Sequence, residues 1–271
     1  MYHRTLHRIG CGLIGICWLT AVNASDQSLP SACDVVNAML ERSAKVAGNE
    51  KSQTWAYDKV SVTDQLDDDG KVTSTTEKLH RVRVFRGVPF SRLVKIQGQP
   101  LSPADLRKED KREAEFRKRI SGRDPGQVAS RKEPLIVKDL VDRYQFEVKK
   151  RELIDGRPTL QVVFAVDPEK LVEKNLQDRI LNRLAGTVWV DETTSEVARL
   201  QVHLTKGFSV GLLGILGSLS ECRFNLTRKP MPDGTWLPHL QETQITARKL
   251  SSSVHFQVKA ESTNFHPEPG P

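Results

Sequence analysis

Two alternating runs around one turn constrain this chain more than any other feature. Tyr144, Phe146 and Val148 alternate toward Asp155-Gly156, and Leu160, Val162, Phe164 and Val166 alternate after it. Period-two alternation places every apolar side chain on one face of a strand, and Asp-Gly accepts the positive φ of a tight hairpin. Such a hairpin has to bury one face of a sheet, because a slip of one residue would expose the whole apolar set. The pattern recurs along the chain. Trp55 and Tyr57 alternate, Val60 and Val62 follow in the opposite phase, and Asp67-Asp68-Asp69-Gly70 turns back. Spacing excludes a calcium loop at that turn, since the first ligand position would be Gln65 and the twelfth Thr76. Leu79, Val82 and Val84 mark the return, Gly87-Val88-Pro89 turns again, and Phe90, Val94 and Ile96 mark a third strand with Arg92 intruding on its face. Residues 187–190 and 197–204 read as a pair around Asp191 to Ser195. Cys222-Phe224-Leu226, the segment 236–248 and Val254-Phe256-Val258-Ala260 close the chain. The prediction is an α+β domain, mostly antiparallel β.

Helical periods appear twice with start and stop signals. Ser31 and Asp34 form a capping-box pattern ahead of Val35, Val36, Met39, Leu40 and Ala44, and Gly48-Asn49 ends the run, which predicts a helix over 34–47. Asp167 as cap, Pro168 at the first position, then Val172, Leu176, Ile180 and Leu184 before Gly186 predict another over 168–185. Residues 102–133 carry dense mixed charge, with little apolar stripe beyond Leu106, Phe116 and Ile120. The first half reads as a projecting, solvated helix and the second as a loop. Residues 207–217 are apolar yet Gly-rich, which suits neither a regular strand nor a stable helix. They read either as a buried irregular connection or as a segment that covers a cavity or touches a membrane. The segment 266–271 is disordered by composition.

Residues 1–24 read as a secretory signal: Arg4 and Arg8, an apolar stretch from Ile9 to Val22, and the small-residue end Val22-Asn23-Ala24. The stretch is short of the ~20 residues that span a bilayer comfortably. Cys11 and Cys17 lack the surroundings of a lipidation site. Residues 25–265 then form one domain, with 102–133 as an insertion, and the protein is expected to be periplasmic and monomeric. Without the signal, 39 Lys+Arg face 34 Asp+Glu, a net charge of +5. The basic run 107–119 could meet an acidic protein or an anionic membrane surface. Aromatics are not interleaved with it, so a stacking platform for nucleic acid is excluded. Cys33 and Cys222 remain as the pair available in an oxidising compartment, either bridged or as two separate thiols.

Reaction chemistry is not assembled by any motif. His80, His203, His239, His255 and His266 are scattered singly, without the His-x-x-x-His or Cys-x-x-Cys spacing that holds a metal. There is no phosphate loop, since the Gly-rich run 207–217 lacks the Lys-Ser/Thr that one needs. The chain reads as a binder, with no catalytic residues, metal or cofactor expected.

Gly186-Thr-Val-Trp-Val-Asp191, followed by Thr194 and Glu196-Val-Ala-Arg-Leu200, resembles a turn of LolA-like periplasmic lipoprotein carriers and their exported bacterial relatives. The order of the leading helix, the meander with its Asp-rich turn, and Asp233-Gly-Thr-Trp-Leu-Pro238 before two closing strands is similar too. The resemblance implies a strongly curved sheet, an unfinished barrel, with the helices at 34–47 and 168–185 packed on its concave side over an apolar cavity. It also implies a lipid or lipidated protein as ligand. Trp55, Tyr57, Trp189, Trp236, Phe208, Leu212, Leu213 and Met39 are then the candidate cavity wall, and Asp191 the cap of a turn. The carrier's lid-holding arginine has no counterpart identifiable in this sequence.

Overall fold

Pairing of the alternating runs produces one sheet. The structure, a computed structural model, describes residues 28–48, 55–121, 141–210, 217–249 and 252–268. After α1 (Ala32–Gly48) come β1 (Trp55–Leu66), β2 (Val72–Phe85), β3 (Val88–Ile96), the short β4 (Gln99–Pro100) and α2 (Pro103–Ser121). The hairpin β5 (Tyr144–Ile154) and β6 (Arg157–Val166) leads to the short α3 (Leu176–Leu181), then to β7 (Leu184–Asp191) and β8 (Val197–Leu204). β9 (Phe208–Val210), β10 (Gly217–Pro230), β11 (Trp236–Lys249) and β12 (Ser252–Pro267) complete it. The twelve strands run β4-β3-β2-β1-β12-β11-β10-β8-β7-β6-β5, with β9 beside β10, so β4 and β5 stay apart as edges and the barrel is unclosed. The expected class, α+β with a mostly antiparallel, unfinished barrel, is the one observed.

Local signals account for most joints. Asp155 (φ 49°) and Gly156 (φ 75°) make the β5–β6 turn in the left-handed region that Asp-Gly tolerates. The Asp67 carboxylate accepts from the backbone N–H of Asp69 at 3.1 Å and of Lys71 at 2.8 Å, an Asx turn that closes β1 onto β2. The register of β1 against β12 shifts at a β-bulge between Ala56 and Asp58, while β1 stays in step with β2 from Tyr57 onward, so Tyr57 and Val60/Val62 lie on opposite faces of the sheet. Ser31 caps α1, its hydroxyl accepting from the Asp34 N–H at 3.1 Å and donating to the Asp34 carboxylate at 2.7 Å.

The core lies under α1. Val35, Val36 and Met39 pack on Leu160, Val162, Val188 and Val190, with Phe146, Val148 and Leu200 around them. Burying each such side chain is worth about 1.5–3 kcal/mol, so the helix is held by its apolar stripe more than by propensity.

Three expectations are corrected. The helix over 168–185 is a 3-10 turn at Pro168–Lys170 followed by the six residues of α3. Asn175 accepts from the Asp178 N–H and starts a new helix, Leu184 joins β7, and Val172 and Leu176 are exposed instead of forming a stripe. α2 does not project. Phe116 and Ile120 are buried against Val88 and Phe90, and Arg92, which intruded on the β3 face, is met by Asp110 at 2.5 Å and Glu113 at 2.6 Å. Glu109 also accepts from the Leu93 N–H and Arg112 donates to the Ser91 carbonyl, so α2 satisfies backbone groups of β3 that β2 does not reach. The segment from 266 is not disordered through 268. Ala56 pairs with His266 and Trp55 with Pro267, and the Glu268 carboxylate accepts from the Val84 N–H and from Arg83. Ladder pairing orders backbone whatever its side chains, and composition does not reveal it. The expected loop 122–133 lies outside the described residues.

Candidate functional site

Directly opposed residues in an antiparallel ladder share a face, so the registers define rows across the sheet. One row runs Val148, Val162, Val188, Leu200, Leu226, Gln241, Ala260, Ser61, Lys78. The next runs Phe146, Phe164, Gly186, Val202, Phe224, Thr243, Val258, Thr63, Thr76. A third includes Cys222, Ile245, Phe256, Gln65 and Ser74. The β5–β8 part of this face is filled. α1 covers the first row, and beside the second Tyr144 meets Phe146 and Phe164 edge to face while those two rings are tilted, with centroids 5.4–6.3 Å apart. Gly186 has no side chain because the Phe164 ring lies where one would be, 2.7 Å from a hypothetical Cβ.

Beyond Leu200 the face changes. The apolar contacts of α1 reach Leu200, and Val202, Phe224, Cys222, Ile245, Phe256 and Val258 beyond it are half-buried. They grade into Thr63, Gln65, Ser74 and Thr76 on β1 and β2. The result is an apolar trough over β8, β10, β11 and β12 that is polar at its β1–β2 end.

A buried polar network closes one end of the sheet. Arg42 of α1 reaches Glu196 at 2.5 Å, Glu196 accepts from the Trp236 N–H at 3.1 Å, and Arg228 approaches the same carboxylate at 3.6 Å. Arg228 also donates to the carbonyls of Val197 and Trp236, and burial holds its pKa below the ordinary value against the pull of Glu196. Asp191 accepts from Arg157, from the Trp236 Nε1 at 3.1 Å, and from the N–H groups of Thr193 and Thr194 at 2.8 Å. Burial raises the pKa of this carboxyl, but the Arg157 guanidinium and the two amides outweigh it and hold the group at about 2. Asp191 therefore does cap its turn. No motif pointed to Arg42, which is 154 residues from Glu196; a basic residue on the polar flank of a helix is too common to be a signal.

The sequence candidates are not brought together. Trp236 is fully buried, and Trp189 packs with it, Ile154 and Ala198 while its indole N–H donates to Glu152. Both are core, as is Met39 beneath α1. Trp55 donates to Asp233 at 2.8 Å near the surface, and Tyr57 stacks on Phe265 at 5.3 Å with burial raising its pKa. Phe208 sits under the guanidinium groups of Arg179 and Arg183, 5.4 and 5.2 Å from its centroid. Leu212 and Leu213 lie outside the described residues. Cys33 and Cys222 are both free, the first exposed and the second half-buried in the trough. The described surface has concavities of about 460, 410 and 390 Å³ that share Arg83, and one of about 740 Å³ at β8 and β10. None of these four is lined by the eight candidates. Among the described residues no cluster of His, Cys, Asp and Glu could hold a metal ion.

No family model and no curated protein sequence matches the chain. Solved structures do. A domain named for outer membrane lipoprotein sorting from Vibrio parahaemolyticus is 10% identical with a TM-score of 0.37, covering 89% of this chain and 95% of its own. A LolA superfamily protein from Nitrosomonas europaea is 8% identical with a TM-score of 0.28, over 90% and 96%. LprF from Mycobacterium bovis is 14% identical with a TM-score of 0.28, over 90% and 98%. What this chain binds has to be argued from its own residues.

Proposed function

We propose that this chain is an exported binding or carrier protein for a lipid, a lipidated protein or another apolar ligand, and not a catalyst. The carrying observation is the half-buried run Val202, Phe224, Ile245, Phe256 and Val258 on the face whose other part α1 covers. A soluble protein leaves a contiguous apolar stretch uncovered when something else is to cover it. The seat moves from the space beneath α1, which Val35, Val36 and Met39 fill, to the trough beside it. The sequence reading of residues 1–24 supports a periplasmic location. Native mass spectrometry of the mature protein, purified from an envelope fraction without detergent, tests the reading. A reproducible mass excess matching lipid is expected; a clean apo mass, together with no uptake of a fluorescent fatty acid by folded protein, would overturn it.

A second reading keeps one observation. The outward side of α2 bears Arg107, Lys108, Lys111 and Lys118, all exposed, which suits an acidic protein or anionic lipid surface. Reversing Lys111 and Lys118 to Glu would abolish partner capture under that reading and leave apolar-ligand uptake intact.

A further inference from the structure

Charge is segregated between the two faces of the sheet. In the stretch from β8 to β2 where ladder partners are directly opposed, the trough face carries Lys59, Lys78 and His80 and no carboxylate. The opposite face of the same strands carries Asp58, Asp64, Glu77, Glu242 and Glu261, interleaved with Lys259, Arg81 and Arg223. Chance alternation would share the acids between faces. The cations also cluster. Lys59 lies directly opposite His80, and Lys78 opposite Ser61, one pleat along. Arg112 and Glu109, which bind each other at 2.5 Å, act on His80 electrostatically, although α2 itself packs on the opposite face against Phe90 and Arg92. Burial first, then Lys59, Arg112 and Lys78, hold the His80 imidazole below its usual range, with Glu109 acting the other way. The cluster stands at the polar end of the trough. From Phe224 on β10 to Lys78 on β2 is four strand spacings, about 19 Å at ~4.8 Å each, a span suited to a long acyl chain laid across the strands.

We propose that the trough takes an anionic amphiphile, its acyl chain over Phe224, Ile245, Phe256 and Val258 and its acidic headgroup on Lys59 and Lys78. The inference rests on the binding reading above and adds the sign of the ligand. A fatty-acid carboxylate and a lysophospholipid phosphate share this chemistry. Three matched probes with the same oleoyl chain separate the cases: oleate, oleoyl-lysophosphatidate and neutral monoolein, titrated below their aggregation thresholds against the mature protein. Either anionic probe should bind about tenfold more tightly than the neutral one, which is about 1.4 kcal/mol. Whichever of the two is stronger assigns carboxylate or phosphate. Lys59→Glu/Lys78→Glu should remove the preference and leave monoolein binding unchanged, and Lys59→Gln/Lys78→Gln, which introduces no repulsion, should reduce it in the same direction. Equal affinity for all three probes, or a preference surviving in the double variants, would overturn the proposal while the binding reading stands. Binding of none would sink both.

Discussion

One face of one sheet is built in two ways. Under α1, from β5 to β8, it is closed: Val162 is fully buried, three aromatics interlock around Gly186, and the strand ends are tied through Arg42, Glu196 and Asp191. From β10 to β12 the same rows continue with apolar residues that stay half-buried. The difference separates two uses of hydrophobic area. In the closed half it is spent within the chain, so substitutions there should read out as stability. On the proposed binding function the open half leaves its driving force for a ligand, so substitutions there should read out as binding.

Four perturbations would break or sharpen that contrast. Trp236→Ala in the closed half should cost about 4 kcal/mol, because a fully buried indole leaves a cavity and deprives Asp191 of a donor; urea unfolding measures it. Gly186→Val should cost about 3 kcal/mol, since the new side chain meets the Phe164 ring and the Gln201 carbonyl. Differential scanning calorimetry showing a wild-type midpoint for this variant would break the claim that the closed half is tightly packed.

The third is a titration. Asp191 has a folded pKa of about 2 against an ordinary 3.8, so its contribution is fully present above pH ~4 and is lost as pH falls through 2. It amounts to about 2 kcal/mol, and Asp191→Asn should lower stability at pH 7 while flattening the acid limb of the profile. The smallest effect on stability belongs to the open half. Ile245→Thr should change unfolding by no more than about 1 kcal/mol, yet weaken fatty-acid binding roughly fivefold, about 1 kcal/mol. A large stability loss without a binding change would erase the distinction between the halves.

The sequence showed the strands better than it showed their neighbours. Alternation placed the β5–β6 hairpin, because it is a local consequence of the pleat. The run Val172, Leu176, Ile180 and Leu184 misled: i+4 spacing is a property of the sequence, whereas burial of that stripe needs a surface to receive it, and none does. α2 was read as solvated since only Phe116 and Ile120 mark its buried side, and its other contacts are charged groups answering Arg92. Trp189 and Trp236 were legible as either core or cavity wall, because tryptophan serves both roles and the deciding partners, Glu152, Asp191 and Ala198, come from three other segments. The segregation of charge was half visible. In β1 Lys59, Ser61 and Thr63 alternate with Asp58, Val60 and Asp64, but which set shares a face with Phe224 is decided by register across three strand pairs.

The seam between β1 and β12 has a consequence for how the protein comes into being. Trp55 pairs with Pro267 and Leu66 with His255, in the middle of the sheet and not at its margin. The meander β1–β3 therefore has no lateral support from the rest of the sheet until β12 is in place, and contacts of such separation form late.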